Sequence, residues 1–326
     1  MRALPLLTLA LAGGFILTAQ ADEAQDWLER LGQAEQQQSF QGTFVYERNG
    51  SFSTHRIWHL VRNGQVRERL LQLDGSAQEV VRVDGHTECV SGTLVAGLGE
   101  SPDAHARALD PQKLNAWYDI AVVGKSRVAG RPAVIVSLTP RDQHRYGFEL
   151  HLDRQTGLPL KSLLINDKGQ LLERFQFTEL NTSEVPQDSQ LQAGAECKPV
   201  VLLSNQAQAK VQVLGSKVAQ LWHSDWLPPG FELVSSTARI DPQSKTQVNS
   251  LMYDDGLARF SVFLEPLNGA SITDTRTQLG PTVAVSRRLT TPSGEIMVTV
   301  VGEIPIGTAE RIALSMRAGD AQASKQ

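Results

Sequence analysis

Residues 43–85 read TFVYERNG-SFSTHRIWHLVRNG-QVRERLLQLDG-SAQEVVRVDG, with the breaks placed after each glycine. Four runs of alternating polarity each end in Asn-Gly or Asp-Gly (Asn49-Gly50, Asn63-Gly64, Asp74-Gly75 and Asp84-Gly85). These dipeptides supply the positive φ angles of type I′ turns, so the stretch predicts an antiparallel meander. Two-residue turns set Tyr46 opposite Ser53, Ile57 opposite Leu70, Val61 opposite Val66 and His59 opposite Glu68. Strand alternation then puts Phe44, Tyr46, Ile57, Val61, Val66 and Leu70 on one face. Arg56, Trp58, Leu60, Arg62, Arg67 and Arg69 take the other. One packed face and one wetter face is the usual antiparallel arrangement.

Working outward, residues 22–38 repeat Ala24, Trp27, Leu28 and Leu31 at helical spacing. A second strand series runs through "RPAVIVSLTPR", "YGFELHLDRQTGLPLKSLLINDKGQLLERFQFTEL" and their neighbours. From Asn181 to about Leu221 the chain turns polar. About five more strands follow from Trp222, then a helix in "GTAERIALSM" with Thr308 as the expected N-cap. The predicted division is residues 1–21 signal peptide, 22–200 large domain, 201–221 linker, 222–318 small domain and 319–326 disordered tail. The predicted class is α+β: a large curved antiparallel sheet, or half-barrel, wrapped round helices, plus a smaller α+β domain.

The signal-peptide reading rests on Arg2, the apolar run Leu4–Leu17 and Ala19-Gln20-Ala21, with cleavage expected after Ala21. No cysteine near that site offers a lipid-attachment point. A net charge of −4, from 31 basic and 35 acidic residues, argues against general nucleic-acid binding. In an exported chain Cys89 and Cys197 are candidates for a disulfide, with two buried thiols as the alternative.

Catalytic patterns are near misses. "VVGKS" has Asp119 where a P-loop needs its first glycine, and neither H-E-x-x-H nor G-x-S-x-G occurs. On a strand His55 and His59 stand about 13 Å apart, beyond joint ligation of one metal ion. The His59–Glu68 pair is more often structural than catalytic. Neither an enzyme nor a cofactor is expected.

"FQGTFVYERNG", "RERLLQLDGSAQEVVRVDG", "WLPPGFELVSS" and "MYDDGLARFSVFLEP" resemble the RseB/MucB family of periplasmic sigma-factor regulators, in order and over nearly the whole chain. "LDRQTGLPLK" and "DKGQLLERFQF" also resemble the lipoprotein-carrier half-barrel. The resemblance implies a periplasmic protein whose large domain encloses an apolar cavity. It also implies that the chain holds the periplasmic segment of a single-span anti-sigma factor of the MucA/RseA type. That grip shields the segment from proteolysis until lipopolysaccharide-like or acylated ligands release it. A lipoprotein carrier is the alternative, and it has no need of a second domain bearing "GLARFSVF"; a hydrolase is a third reading. A homo-oligomer is left open.

The candidate sites follow. Phe44, Tyr46, Ile57, Val61 and Leu70 would line a lipid cavity or pack as ordinary core. Arg56, Arg62, Arg67 and Arg69 would meet anionic head groups or acidic partner residues, or form a solvated outer surface. Trp226, Phe231, Phe260 and Phe263 would anchor the partner, although at least one of the last two belongs to the core.

Overall fold

The computed structural model describes residues 16–76, 78–91, 109–200, 218, 221–240, 246–292 and 294–319. Most of the expected leader, the linker and the tail lie outside these residues. Helix α1 (Ile16–Gln37) begins before the expected 22 and passes through Ala21 without a break. Its sequence there, Ile-Leu-Thr-Ala-Gln-Ala, carries no Gly or Pro to stop it.

Eleven strands form one open sheet: β1 (Phe40–Arg48), β2 (Ser51–Arg62), β3 (Gln65–Gln72), β4 (Glu79–Val83), β5 (His86–Val90), β6 (Tyr118–Val128), β7 (Arg131–Pro140), β8 (Gly147–Asp153), β9 (Pro159–Ile165), β10 (Leu171–Asn181) and β11 (Lys198–Pro199). Their order is β11-β5-β4-β3-β2-β1-β10-β9-β8-β7-β6, so two meanders meet along β1 and β10. The first meander keeps the register that its turns dictate: Tyr46 faces Ser53, Ile57 faces Leu70 and Val61 faces Val66. Asn49, Asn63 and Asp84 have φ of 52°, 55° and 49°, each followed by a glycine at positive φ.

The fourth punctuation mark behaves differently. Only Gly75 is at positive φ, and β3 and β4 are joined by a longer loop. Asp74 uses its carboxylate to accept the Thr54 amide at 2.8 Å, an alternative to turning the chain. A further tight turn occurs at Ala129-Gly130, with φ of 47° and 74°; alanine pays sterically for that conformation, so sequence preference does not mark it.

α1 covers the β6–β8 half of the sheet. Ala24, Trp27, Leu28 and Leu31 pack with Leu114, Tyr118, Val136, Leu138 and Leu152. Full burial of a leucine such as Leu28 contributes about 2 kcal/mol. The "DRQTG" turn docks beside the helix: a Cβ on Gly157 would lie 3.0 Å from the Arg30 carbonyl oxygen. Asp153 organises that turn, accepting from Arg131 Nη2 and Thr156 Oγ1, both at 2.7 Å. Short helix α2 (Pro111–Leu114) precedes β6 and is capped by Asp110.

The small domain has a second antiparallel sheet of β13 (Glu232–Ile240), β14 (Gln247–Asp254), β15 (Arg259–Pro266), β16 (Thr275–Leu279), β17 (Thr282–Thr291) and β18 (Gly294–Gly302), ordered β13-β14-β15-β18-β17-β16. β16 adds to the five strands expected; all five of its residues are exposed, so it lacks the buried alternation that reveals a strand. Helix α3 (Ile306–Ser315) packs on β17 and β18 through Ala309, Ile312 and Ala313. Pro305, not Thr308, occupies the N-cap; Thr308 is buried inside the first turn. A two-stranded ribbon of β12 (Trp222–Ser224) and β19 (Met316–Ala318) closes the unit.

Candidate functional site

On the inner face of the first meander, Phe44 is buried between Phe175 and Phe177, with ring centroids 4.6 and 5.8 Å away. Tyr46, Ile57, Leu70 and Phe175 pack against this cluster but stay half-buried, because only the last turn of α1, through Ala34, reaches it, while the rest of the helix packs on β6–β8. Val61 is half-buried as well, near the end of the helix, where its amide donates to Ser39 Oγ at 3.0 Å. Phe44 is therefore a packed residue beneath a partly open apolar surface formed by its neighbours.

His59 closes one side of that surface. Its Nε2 donates to the Glu35 carbonyl at 2.9 Å and its Nδ1 lies 2.8 Å from Glu68. Burial pushes the Glu68 carboxyl up, but the bond to His59 and the charges of His59 and Arg82 outweigh it and leave Glu68 below its ordinary range. The pair fastens the last turn of α1 to β2 and β3.

On the opposite face the arginines are engaged by residues of this chain, although the Arg62 side chain stays 52% exposed. A single 3-10 turn, Asp188–Leu191, lies across the strands. Leu191 packs on Trp58 and Leu60. Asp188 takes Arg62 at 2.9 Å and Arg67 at 3.4 Å. Arg69 meets Glu79 at 2.6 Å and the Gln190 carbonyl at 3.1 Å, and its guanidinium lies 5.1 Å from the Trp58 ring. Arg56 stacks on the same ring at 5.3 Å. The segment continues to β11, which pairs with β5, and there Cys89 and Cys197 are joined in a disulfide with Cα atoms 5.5 Å apart. A groove of about 760 Å³ runs beside it, lined by Val81, Val83, Leu191 and both cysteines.

The two domains meet across a polar seam that sequence reasoning missed. Arg145, wholly buried, donates to Asp255 at 2.6 Å, to Asp142 at 3.0 Å and to the Pro229 carbonyl at 2.5 Å. The rings of Trp117, Tyr118 and Phe231 surround it at 5.1–5.6 Å. The Tyr118 hydroxyl also donates to Asp255, whose other oxygen accepts the Leu257 and Ala258 amides. Every lone pair of the buried carboxylate is thereby turned to a donor, which is the condition for such an ion pair to be tolerated. Removing one member of such a pair costs about 3–5 kcal/mol. Gly230 reaches Trp117 so closely that a Cβ would lie 2.2 Å from the indole. At the other corner Arg48, the last residue of β1, donates to Thr282 and stands 3.5 Å from Glu303.

These contacts reassign the aromatic candidates of the small domain. Phe260 is 1% exposed and Phe231 5% exposed; they pack on each other in the core, so neither offers a contact surface. Phe263 faces the opposite side of β15 and is half-buried. Trp226 sits at the seam, under Arg311 at 3.8 Å and against His144 of the large domain at 5.0 Å. The seam's sequence signal was indirect: "RDQHRYG" and "YDDG" each place charge beside residues of a tight turn, and their local pairs, Arg145 with Asp142 and Arg259 with Asp254, hide the contact between Arg145 and Asp255.

Comparison with known proteins covers both domains. A family model described as the MucB/RseB N-terminal domain matches residues 23–195, and one described as the MucB/RseB C-terminal domain matches residues 216–317. The sigma factor AlgU regulatory protein MucB of Pseudomonas aeruginosa is 61% identical over 318 residues, which are 97% of this chain and 98% of the relative. The structure superposes on the Pseudomonas aeruginosa MucA/MucB complex with a TM-score of 0.80 at 60% identity, covering 92% of this chain and all of that one. A crystal structure of MucB gives a TM-score of 0.67 at 59% identity, covering 91% and 98%. From its matched domains to its near-complete alignment, the chain belongs to the MucB/RseB family.

Proposed function

We propose that this chain is a periplasmic negative regulator of an envelope-stress sigma factor. It binds the periplasmic segment of a single-span anti-sigma factor of the MucA/RseA type and shields that segment from regulated proteolysis. The observation that carries the reading is the near-full-length likeness to a protein whose structure is described in complex with MucA. A lipid or lipopolysaccharide-like ligand, taken at the half-open apolar surface of Tyr46, Ile57, Val61 and Leu70 above Phe44, would release the grip. Each acyl methylene buried there would contribute about 0.8 kcal/mol. Trp226 and Phe263 remain as candidate partner contacts.

The test is a titration of the chain with the purified periplasmic segment of the anti-sigma factor, followed by digestion of that segment with and without the chain. Saturable binding that slows cleavage supports the reading. No binding, or cleavage at an unchanged rate in the complex, sinks it. Photo-crosslinking with an acyl probe locates the ligand; labelling confined to residues 222–318 would move the lipid site off the large sheet.

A further inference from the structure

Tyr46 and Arg48 leave β1 on the same side, two residues apart, and both address one atom. The Tyr46 hydroxyl donates to Glu173 Oε2 at 2.5 Å. Arg48 Nε stands 3.7 Å from that same oxygen, and it is buried without a hydrogen-bond partner. The Nη2 end of Arg48 turns away, to Thr282 and Glu303 of the small domain. Backing is provided by Gly280, where a Cβ would lie 2.7 Å from Arg48 Cγ. Glu173 is the direct cross-strand neighbour of Arg48 on β10, so nothing but a rotamer change separates their side chains.

We propose that Glu173 Oε2 is an exchange point coupling the apolar surface to the domain seam. While the Tyr46 hydroxyl occupies that oxygen, Arg48 reaches past it and holds the small domain. An acyl ligand with an anionic head group accepts the Tyr46 hydroxyl instead. Arg48 Nε then moves onto Glu173, and its hold on Thr282 and Glu303 is given up. Arg48 and Glu173 are positioning residues: neither has to touch the anti-sigma segment. The proposal rests on the reading of this chain as a lipid-released regulator and assigns that release to named side chains.

The electrostatics already run across the boundary. Burial, then the bond and charge of Glu173, and lastly Glu303 of the small domain raise the Tyr46 phenol far above its ordinary value. Burial and then Glu173 push the Glu303 carboxyl up, against the pull of Arg48. A change at Glu173 is therefore felt on both sides of the seam. An exchange between two discrete partners supplies the two-state element that coupling between separated sites requires.

The experiment titrates the anti-sigma segment with and without lysophosphatidic acid below its micelle concentration, in the full chain and in Glu173→Gln and Arg48→Met. The expected coupling in the parent is about 5- to 150-fold. In both variants it should fall below about twofold, while each ligand alone binds within about threefold of the parent. A paired-label distance across the seam should change with lipid in the parent and stay fixed in the variants. Coupling retained in both variants, with the parent coupled, overturns the exchange and leaves the regulatory reading standing. No coupling in the parent overturns both. Glu173→Gln preserves side-chain shape and decides alone if Arg48→Met does not fold.

Discussion

The disulfide between Cys89 and Cys197 gives the large domain a constraint whose size can be worked out. The bond spans a sequence separation of 108 residues, from the end of β5 to the start of β11. In the chain-entropy treatment a loop of that length removes about 16 cal/mol/K from the unfolded chain, or about 4.8 kcal/mol at 25 °C. The perturbation is the double variant Cys89→Ala/Cys197→Ala, which leaves no buried hydroxyl in place of the sulfurs. The folded strap should persist, because Leu191 still packs on Trp58 and Leu60 and Asp188 still holds Arg62 and Arg67. The loss thus falls on the unfolded state, and should appear as an earlier transition with a slope at least as steep. With a urea slope of about 2 kcal/mol per M, the midpoint should drop by about 2.4 M. Urea unfolding followed by tryptophan fluorescence measures this, since Trp58 lies beneath the strap and is 8% exposed. A midpoint within about 0.4 M of the parent at equal slope would refute loop closure as the source of stability. The bond would then be a local staple for residues already held by other contacts.

Three further outcomes follow from the packing. Gly230→Ala should separate the domains: φ is +84° and the new Cβ meets Trp117, so the 229–231 turn must retreat from Arg145; calorimetry should split one thermal transition into two, and an unchanged thermogram contradicts this. Phe260→Ala should destabilise the small domain by about 3–5 kcal/mol and Phe263→Ala by much less, measured by guanidinium unfolding; equal losses would reverse the assignment of their faces. For Asp153, burial pushes the carboxyl up but the hydrogen bonds of Arg131 and Thr156 prevail and hold it below its ordinary 3.8. A depressed folded value gives stability that is present above the unfolded pKa and lost as pH falls through the folded one. Asp153→Asn should therefore weaken the domain at pH 7 and flatten the loss of stability below about pH 4; parallel curves for variant and parent would exclude the role.

Local chemistry made the first meander legible. Asn-Gly and Asp-Gly at 49, 63 and 84 fix two-residue turns, and a two-residue turn fixes every partner beyond it, which is why the sequence already sets His59 opposite Glu68. Asp74-Gly75 carries the same letters and does otherwise, because a side-chain carboxylate near a free amide has a competing use. The Arg-rich face was sorted correctly by parity, but its cover comes from residues 188–191, more than 100 positions away, with no periodic pattern to announce it. Arg145 and Asp255 are separated by 110 residues and are joined only by the docking of two finished domains. Buried aromatics such as Phe231 read as interface anchors because burial and contact with a partner draw on the same residue types.

The meeting of β1 with β10 orders events in time. Each meander is built from neighbours in sequence, whereas Tyr46 and Phe175 must find each other across almost 130 residues. Loop-closure entropy makes that pairing slow relative to the hairpins; once made, it shortens the effective loop that β11 must close onto β5. The expected order therefore brings Cys197 to Cys89 after both halves of the sheet have joined, and the bond would record completed assembly instead of guiding it. Pulse-labelling exchange should find β7 and β8 amides protected before the β10 amides that pair with β1, and simultaneous protection would set this sequence of events aside. Along this route the two thiols stay apart during the early phase, when a wrong partner is easiest to meet.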